Sequence, residues 1–97
     1  MGDLIEQVTG WFEEKGFDNP TMQFAKMTEE SGEIAHELTR NHLNTAEMKD
    51  ALGDTMVTLI GLCYILGYTP EECLQAAWDE IKDRKGKMVN GSFVKNV

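Results

Sequence analysis

The fold of this chain is decided by its longest apolar run, Thr55-Met56-Val57-Thr58-Leu59-Ile60-Gly61-Leu62-Cys63-Tyr64-Ile65-Leu66-Gly67-Tyr68, which follows directly after Asp54. Its 14 residues fall short of the about 20 that a helix needs to cross a bilayer, so we expect a buried helix and no membrane anchor. This helix is apolar nearly all round, which is more than one small chain can cover. The run therefore predicts a homo-oligomer, a dimer or a tetramer, whose shared core includes Met56, Leu59, Ile60 and Cys63.

The composition is typical of a single soluble domain that spans residues 1–97. Hydrophobic residues make up 41% of the chain, and its two Trp and four Phe are too many for a disordered segment. The first six residues lack the basic and apolar run of a signal peptide. Cys63 and Cys73 fit neither a metal spacing nor a disulfide framework, so we interpret them as core thiols. We therefore expect a cytoplasmic protein.

The sequence before the apolar run predicts two helices. Gly16 is placed to end the first helix, and Asp18 or Asn19 caps a second helix that has Pro20 in its first turn and runs to about Asn41. Helical spacing puts on one face of the first helix Leu4, Ile5, Val8, Trp11 and Phe12, and on one face of the second Phe24, Met27, Ser31, Ile34, Ala35 and Leu38.

Two further helices and a hairpin complete the predicted architecture. A cap at Asn44, with Glu47 three residues later, opens the third helix, which ends at Gly67. Thr69-Pro70-Glu71-Glu72 is a capping box that opens the fourth helix, whose apolar positions are Leu74, Ala77, Trp78 and Ile81. Residues 87–94 resemble a hairpin around Asn90-Gly91, which is too small to be stable alone. We therefore predict an all-α, four-helix bundle with a short C-terminal hairpin.

Charge is distributed unevenly along the chain. Residues 1–81 hold 16 acidic and 4 basic residues (net −12), whereas residues 82–97 hold 5 basic and 1 acidic (net +4). Nucleic-acid polymers are poor partners, because the acidic body repels a polyanion along most of its surface. A small phosphorylated ligand fits better, provided that a metal ion lies between it and the acids.

Two acidic stripes occur on consecutive helices. At about 100° per residue, Glu30 and Glu33 lie on one stripe with Lys26 and Glu37, and Glu47, Asp50 and Asp54 form another on the third helix. A solvated helix face is the alternative for either stripe. Asp54, however, directly precedes the apolar helix, where an unpaired charge is costly. Oxygen ligands without cysteine favour Mg²⁺ or Mn²⁺ as the neutralising cation.

A different metal site is suggested by Glu33-Ile34-Ala35-His36, the Glu-x-x-His unit of di-iron bundles. A di-iron site needs two such units and a Glu from each of two other helices. The sequence holds one unit. We therefore favour the carboxylate cluster.

These acidic elements resemble the MazG-like branch of the all-alpha nucleoside triphosphate pyrophosphohydrolases, which are related to dimeric dUTPases and dCTP pyrophosphatases. The family signature, E-E-x-x-E followed on the next helix by an E-x-x-D-like element, is similar to Glu29-Glu30-Ser31-Gly32-Glu33 and to residues 47–54. The resemblance extends to Asp18-Asn19-Pro20 and to the segment 81–95. It implies Mg²⁺-dependent hydrolysis of a nucleoside triphosphate to the monophosphate and pyrophosphate.

By this resemblance, the first metal ligands are Glu30, Glu33 and Asp54. The family usually has a glutamate three residues before the aspartate, and here that position is Ala51. Asp50 is the natural replacement, and Glu47 is the alternative. Glu29 is a candidate to orient or deprotonate the attacking water.

Candidates for the substrate contacts come from the basic tail and from the first two helices. The triphosphate contacts would be Lys82, Arg84 and Lys85, with Lys26 as a further cation. Cations at a helix C-terminus that offset its dipole are the alternative interpretation of this tail. Base-contact candidates are the stacking aromatics Trp11, Phe12, Phe17 and Phe24 and the amides Asn19, Gln23 and Asn41. A non-catalytic helical module that binds a nucleotide or a protein is the alternative function, with Ala51 marking a decayed site.

Overall fold

The computed structural model describes residues 2–96, which form four helices followed by a two-stranded antiparallel sheet. In chain order the elements are α1 (Gly2–Lys15), α2 (Pro20–Thr39), α3 (Ala46–Leu66), α4 (Pro70–Ile81), β1 (Gly86–Val89) and β2 (Ser92–Lys95). The prediction of a mainly helical chain with a C-terminal hairpin is confirmed.

Most helix ends lie where the capping residues predict them. The Asn19 side chain caps α2 by accepting a backbone N–H at 3.0 Å. At α4, the Thr69 hydroxyl accepts the Glu72 N–H and the Glu72 carboxylate accepts the Thr69 N–H, both at 3.1 Å. Helices α1 and α3 end at Gly16 and Gly67, whose φ angles of 79° and 84° suit glycine. These local signals therefore determine the helix boundaries.

Two predicted helix ends differ from the structure by one or two residues. Thr45, not Asn44, caps α3, because its extended backbone lets its hydroxyl accept the Met48 N–H at 3.2 Å. Helix α2 ends at Thr39 and not at Asn41, because Asn41 has a left-handed φ of 58°. The N–H groups of residues 41 and 42 donate back to the carbonyls of residues 38 and 37, so the helix ends in a Schellman motif.

The core lies where α1 and α2 pack against α3. Its buried apolar side chains are Phe12, Met48 and Ala51. The two helices α2 and α3 run antiparallel, and the buried Gln23 amide of α2 donates to the Thr58 carbonyl of α3 at 3.0 Å. Because Gly61 has no side chain, the Phe12 ring can lie directly against its backbone. This small core fixes α2 and α3 side by side.

The apolar run on α3 is mostly not buried within one chain, which agrees with the expectation that one small chain cannot cover it. Of residues 55–68, only Thr58 and Gly61 are buried. The reason is that α4 bends away from α3 by 100° and buries none of its own residues, so one chain does not close a four-helix bundle. No single helix within residues 2–96 is long and apolar enough to span a membrane, although α3 and α4 meet that criterion as a bent pair.

The C-terminal hairpin is formed as predicted and is slightly longer. Asn90 and Gly91 have φ angles of 50° and 81°, which is the type I′ turn that suits the twist of two strands. Met88 pairs with Phe93 across the strands. Every residue of both strands is exposed, so the hairpin is buried against no other part of the described chain.

Candidate functional site

Two rows of carboxylates face each other across an open cleft between α2 and α3. Both rows have the spacing i, i+3, i+7, which puts three side chains on one helix face. The cleft has a volume of about 380 Å³ and is lined by Glu30, Glu33 and Glu37 of α2 and by Glu47, Asp50, Ala51 and Asp54 of α3. We call this the acidic cleft. It brings together all five metal ligands that the sequence predicts.

Two of the six carboxylates have a basic side chain as a partner. Lys26 Nζ lies 3.2 Å from Glu30 Oε1, and His42 Nδ1 lies 2.8 Å from Glu37 Oε2. The Glu30 carboxylate, helped by Glu29, raises the pKa of Lys26 above its ordinary value, so that this lysine stays charged at physiological pH. Glu30 and Glu37 are also the most buried acids of the cleft, with 17% and 12% of their side chains exposed.

The other four acids of the cleft, Glu33, Glu47, Asp50 and Asp54, have no basic side chain within 4.0 Å in residues 2–96. Several carboxylates that line one cleft make its electrostatic potential negative, which favours the binding of cations. Oxygen donors with no cysteine among them are the ligand type of Mg²⁺ and Mn²⁺. The donor set therefore fits a hard divalent cation.

The sequence argument from the burial of Asp54 is wrong. Asp54 is exposed, because it lies on the cleft side of α3 and the helix around it is open to water. A cation is therefore not needed to offset desolvation of this residue. Its repulsion from the neighbouring carboxylates is the remaining electrostatic reason for a cation.

The carboxylates of the cleft are not gathered around one point. Within the described residues, no three His, Cys, Asp or Glu side chains lie close enough together to hold a metal ion as they stand. Glu33, Asp50 and Asp54 are exposed, so their rotamers can change without disturbing the core. His36, the histidine of the Glu-x-x-His unit, does not line the cleft.

Ala51, where the resembled family usually has an acid, lies in the floor of the cleft and is buried. Asp50 and Glu47 both line the cleft beside it. The structure therefore keeps both residues as alternatives for the missing acid.

The predicted phosphate-binding cations divide into two groups. Lys26 lies at the margin of the cleft, where it also approaches Glu29 Oε1 at 3.6 Å. Lys82, Arg84 and Lys85 do not line the cleft. Lys82 pairs with Asp79 at 3.3 Å, and Arg84 pairs with Glu80 at 3.5 Å. Within one chain, therefore, the basic tail is not brought to the acids. Glu29, the candidate for water activation, is exposed and is not part of the cleft lining.

The residues predicted to contact the base also have roles in the fold itself. The Gln23 amide is buried and hydrogen-bonded across the core, and the backbone of Asn41 ends α2. The Trp11 ring contacts Phe12 edge to face and lies tilted against Phe17, with ring centroids 5.1 and 5.4 Å apart. Phe17 and Gln23 also line a recess of about 360 Å³ that is bounded by Lys26. Because Lys26 bonds Glu30, this recess adjoins the acidic cleft.

Sequence reasoning did not assign a role to Glu37 or His42, although both belong to the site. Helical spacing placed Glu37 on the stripe of Glu30 and Glu33, and its position one helical turn further along is the signal that it also lines the cleft. His42 lies beyond the end of α2, and no periodic signal places it beside Glu37.

The arrangement brings carboxylates of two helices to one cleft and places the charged side chain of Lys26 beside them. Carboxylate oxygens are suitable ligands for a hard cation, and the Lys26 ammonium is a suitable donor to a phosphate oxygen. Both are groups that commonly bind phosphorylated ligands. Compared with protein-family models, with curated protein sequences and with solved structures, the chain has no match.

Proposed function

We propose that this chain is a MazG-like, Mg²⁺-dependent nucleotide pyrophosphohydrolase that cleaves a nucleoside triphosphate to its monophosphate and pyrophosphate. Mn²⁺ is a second suitable metal. The observation that carries the proposal is the pair of matched carboxylate rows that face each other across the acidic cleft. The proposed setting is the cytoplasm, where the activity would control or sanitise the nucleotide pool. Its partner is a nucleotide and neither a nucleic-acid polymer nor a membrane.

The residues in and beside the cleft would have different roles in binding and hydrolysis. Glu30, Glu33 and Asp54, with Asp50 or Glu47, would hold Mg²⁺, which when bound supplies stabilisation of charge on the phosphate oxygens. Lys26 keeps its proton next to Glu30 and would donate to a phosphate oxygen. Glu29, exposed at the margin, would accept a proton from the attacking water. The triphosphate would thus lie along the cleft.

The recess beside Lys26 would take the nucleoside. It is lined by Phe17, Asp18, Asn19, Met22, Gln23 and Lys26, so that it has apolar surface for a base and polar atoms for its edge. A base in the recess would leave its phosphates pointing past Lys26 towards the acids. In this placement Phe17, against which Trp11 packs, would be the aromatic contact of the base, whereas the Gln23 amide is already bonded to Thr58 in the core.

A second candidate function is supported by Ala51. An alanine in the floor of the cleft removes one potential metal ligand, and no set of three ligands is gathered within the described chain. A helical module that binds a nucleotide or a protein without turnover would share these features. The two functions differ in their products and in their need for metal.

The experiment that separates them identifies products. The full chain is incubated with the common ribo- and deoxyribonucleoside triphosphates in Mg²⁺, and products are resolved by ³¹P NMR or chromatography. Monophosphate plus pyrophosphate, lost on addition of EDTA, is the expected result. Release of orthophosphate, or nucleotide binding without Mg²⁺ and without turnover, would contradict the proposal.

A further inference from the structure

The acidic cleft has one basic side chain at each end. Lys26 Nζ lies 3.2 Å from Glu30 Oε1 at one end, and His42 Nδ1 lies 2.8 Å from Glu37 Oε2 at the other. Within residues 2–96, no further basic side chain lies within 4.0 Å of an acid that lines the cleft. In the proposed function Lys26 donates to a phosphate oxygen, whereas His42 has no role.

The row of acids on α2 gives the cleft its length and its direction. Glu30 and Glu37 are the first and last acids of that row, and the seven residues from one to the other rise by about 10 Å along the helix. The recess proposed for the nucleoside adjoins Lys26 and so lies at the Glu30 end. A triphosphate that leaves this recess and follows the cleft therefore brings its terminal phosphate towards Glu37 and His42.

Hydrogen bonds hold the backbone of His42 in place. Its N–H donates to the Glu37 carbonyl at 3.0 Å, in the turn that ends α2. Its carbonyl accepts the Thr45 hydroxyl at 3.2 Å, and Thr45 itself caps α3. His42 is thus tied to both helices that form the cleft. A side chain on a fixed backbone loses less conformational entropy when it binds a ligand.

The ring of His42 is oriented by Glu37. An ionised carboxylate only accepts hydrogen bonds, so Nδ1 donates to Glu37 Oε2 over 2.8 Å. Nε2 is then the free ring nitrogen. The Glu37 side chain is 12% exposed, whereas 45% of the His42 side chain is open to water. The mostly buried acid therefore fixes the ring, and the ring keeps surface that a ligand can reach.

A phosphate oxygen is a suitable partner for this free nitrogen. An imidazole that lies between two anions, here Glu37 and a phosphate, is favoured in its charged form and donates one N–H to each. Such charge-assisted hydrogen bonds are shorter and stronger than those between neutral groups. A donor at the far end of the cleft would also distinguish a triphosphate from a ligand that is too short to reach it.

We propose that His42 binds the terminal phosphate of the substrate through Nε2, and that Glu37 is the positioning residue of the His42 ring. This role rests on the proposed function, because it takes the ligand of the acidic cleft to be a nucleoside triphosphate. It gives a single chain one basic side chain at each end of the triphosphate, Lys26 and His42. It also makes the length of the phosphate chain a determinant of binding.

Binding of inorganic triphosphate tests this role without turnover. The full chain is titrated with inorganic triphosphate in Mg²⁺, and binding is measured by calorimetry. We expect His42→Gln to weaken binding about tenfold, which is the effect of losing one charge-assisted hydrogen bond. His36→Gln is the matched control, because His36 is the other of the two histidines, is exposed on α2 and does not line the cleft. His42→Lys keeps a cation beside Glu37 and should restore most of the affinity.

Steady-state kinetics give a second readout, with the nucleotide that the product assay identifies. His42→Gln should raise KM about tenfold and leave kcat within about twofold, because the contact binds the substrate equally before and during the reaction.

Equal triphosphate affinity of the two glutamine variants would overturn the role of His42 and leave the proposed function standing. A lower Tm of His42→Gln with unchanged affinity would overturn it too, since His42 would then only stabilise the end of α2. Triphosphate binding that depends on His42 but comes without turnover of any nucleotide would support the phosphate contact and contradict the proposed function. No binding by the unmodified chain would overturn both.

Discussion

At the scale of single residues, the acidic cleft concentrates negative charge that the described chain leaves largely unbalanced. Glu33 comes from α2 and Asp54 from α3, and neither has a basic side chain within 4.0 Å in the described part of the chain. If both bind the same cation, then each is essential to it. Loss of either carboxylate should therefore abolish binding of that cation.

We predict that Glu33→Gln and Asp54→Asn each lower kcat/KM at least about a hundredfold, because an amide cannot replace a carboxylate as a ligand of a hard cation. Both side chains are exposed, so circular dichroism and Tm without metal should match or slightly exceed the unmodified chain. Steady-state kinetics at several Mg²⁺ concentrations measure the effect.

The matched control is Glu14→Gln, on the exposed surface of α1 and away from the cleft. It should leave the kinetics unchanged. Near-normal activity of either cleft variant at low Mg²⁺ would show that the metal site lies elsewhere.

The composition of the site was predictable from the sequence only in part. Helical periodicity places Glu30 with Glu33 and Asp50 with Asp54, and this needs no knowledge of the fold. The structural bond of Gln23 was not predictable, because its acceptor is a backbone carbonyl 35 residues away. The exposure of Asp54 was missed for a similar reason, since it depends on the open cleft that α3 forms with the distant helix α2.

At the scale of elements, the contact of α1 with α3 depends on Gly61. A methyl group at this position would collide with the Phe12 ring and would lie 2.8 Å from the Gln23 amide nitrogen. We predict that Gly61→Ala destabilises the chain by about 1–2 kcal/mol, because the free-energy cost of the steric clash exceeds the gain from the higher helix propensity of alanine. Urea unfolding followed by circular dichroism measures the change.

Gly10→Ala on α1 is the control, since a methyl group there meets nothing within 4 Å. It should raise the free energy of unfolding by about 0.5–1 kcal/mol. An equal gain in the Gly61→Ala variant would mean that α1 does not pack on α3 as described.

The elements differ in how well the sequence predicts them. The start of α4 follows from Thr69 and Glu72, which lie within one helical turn of each other. The direction of α4 does not, because it is set by contacts between distant parts of the chain, and α4 makes few of these. Four helices and a hairpin were therefore predictable, and so was the poor cover of α3 by one chain, whereas the 100° bend between α3 and α4 was not.

At the scale of the whole molecule, the negative charge of the acidic cleft and the positive charge of the C-terminal tail lie apart. In one chain, Lys82 and Arg84 are paired with acids of α4 and do not line the cleft. If these cations bind the triphosphate, another copy must supply them. The site would then be built from two chains.

We predict that Arg84→Ala lowers kcat/KM by one to two orders of magnitude, which is what losing a charge-assisted contact of about 1.5–3 kcal/mol removes. Glu80→Gln is the control, since it breaks the same exposed pair and keeps the cation. It should change stability by only a few tenths of a kcal/mol and leave the kinetics alone. If the two variants had equal effects, then Arg84 would only pair with Glu80 and would not bind the triphosphate.

Mixing the variants shows which chain supplies the cation. A mixed dimer of Glu33→Gln and Arg84→Ala chains contains one site with an intact cleft from one copy and an intact tail from the other. After equal amounts are mixed and exchanged, half the dimers are mixed, so about a quarter of the sites should recover full activity. Recovery is measured as turnover per chain against each variant alone. If each tail serves the cleft of its own chain, then every mixed site carries a defect and no activity returns.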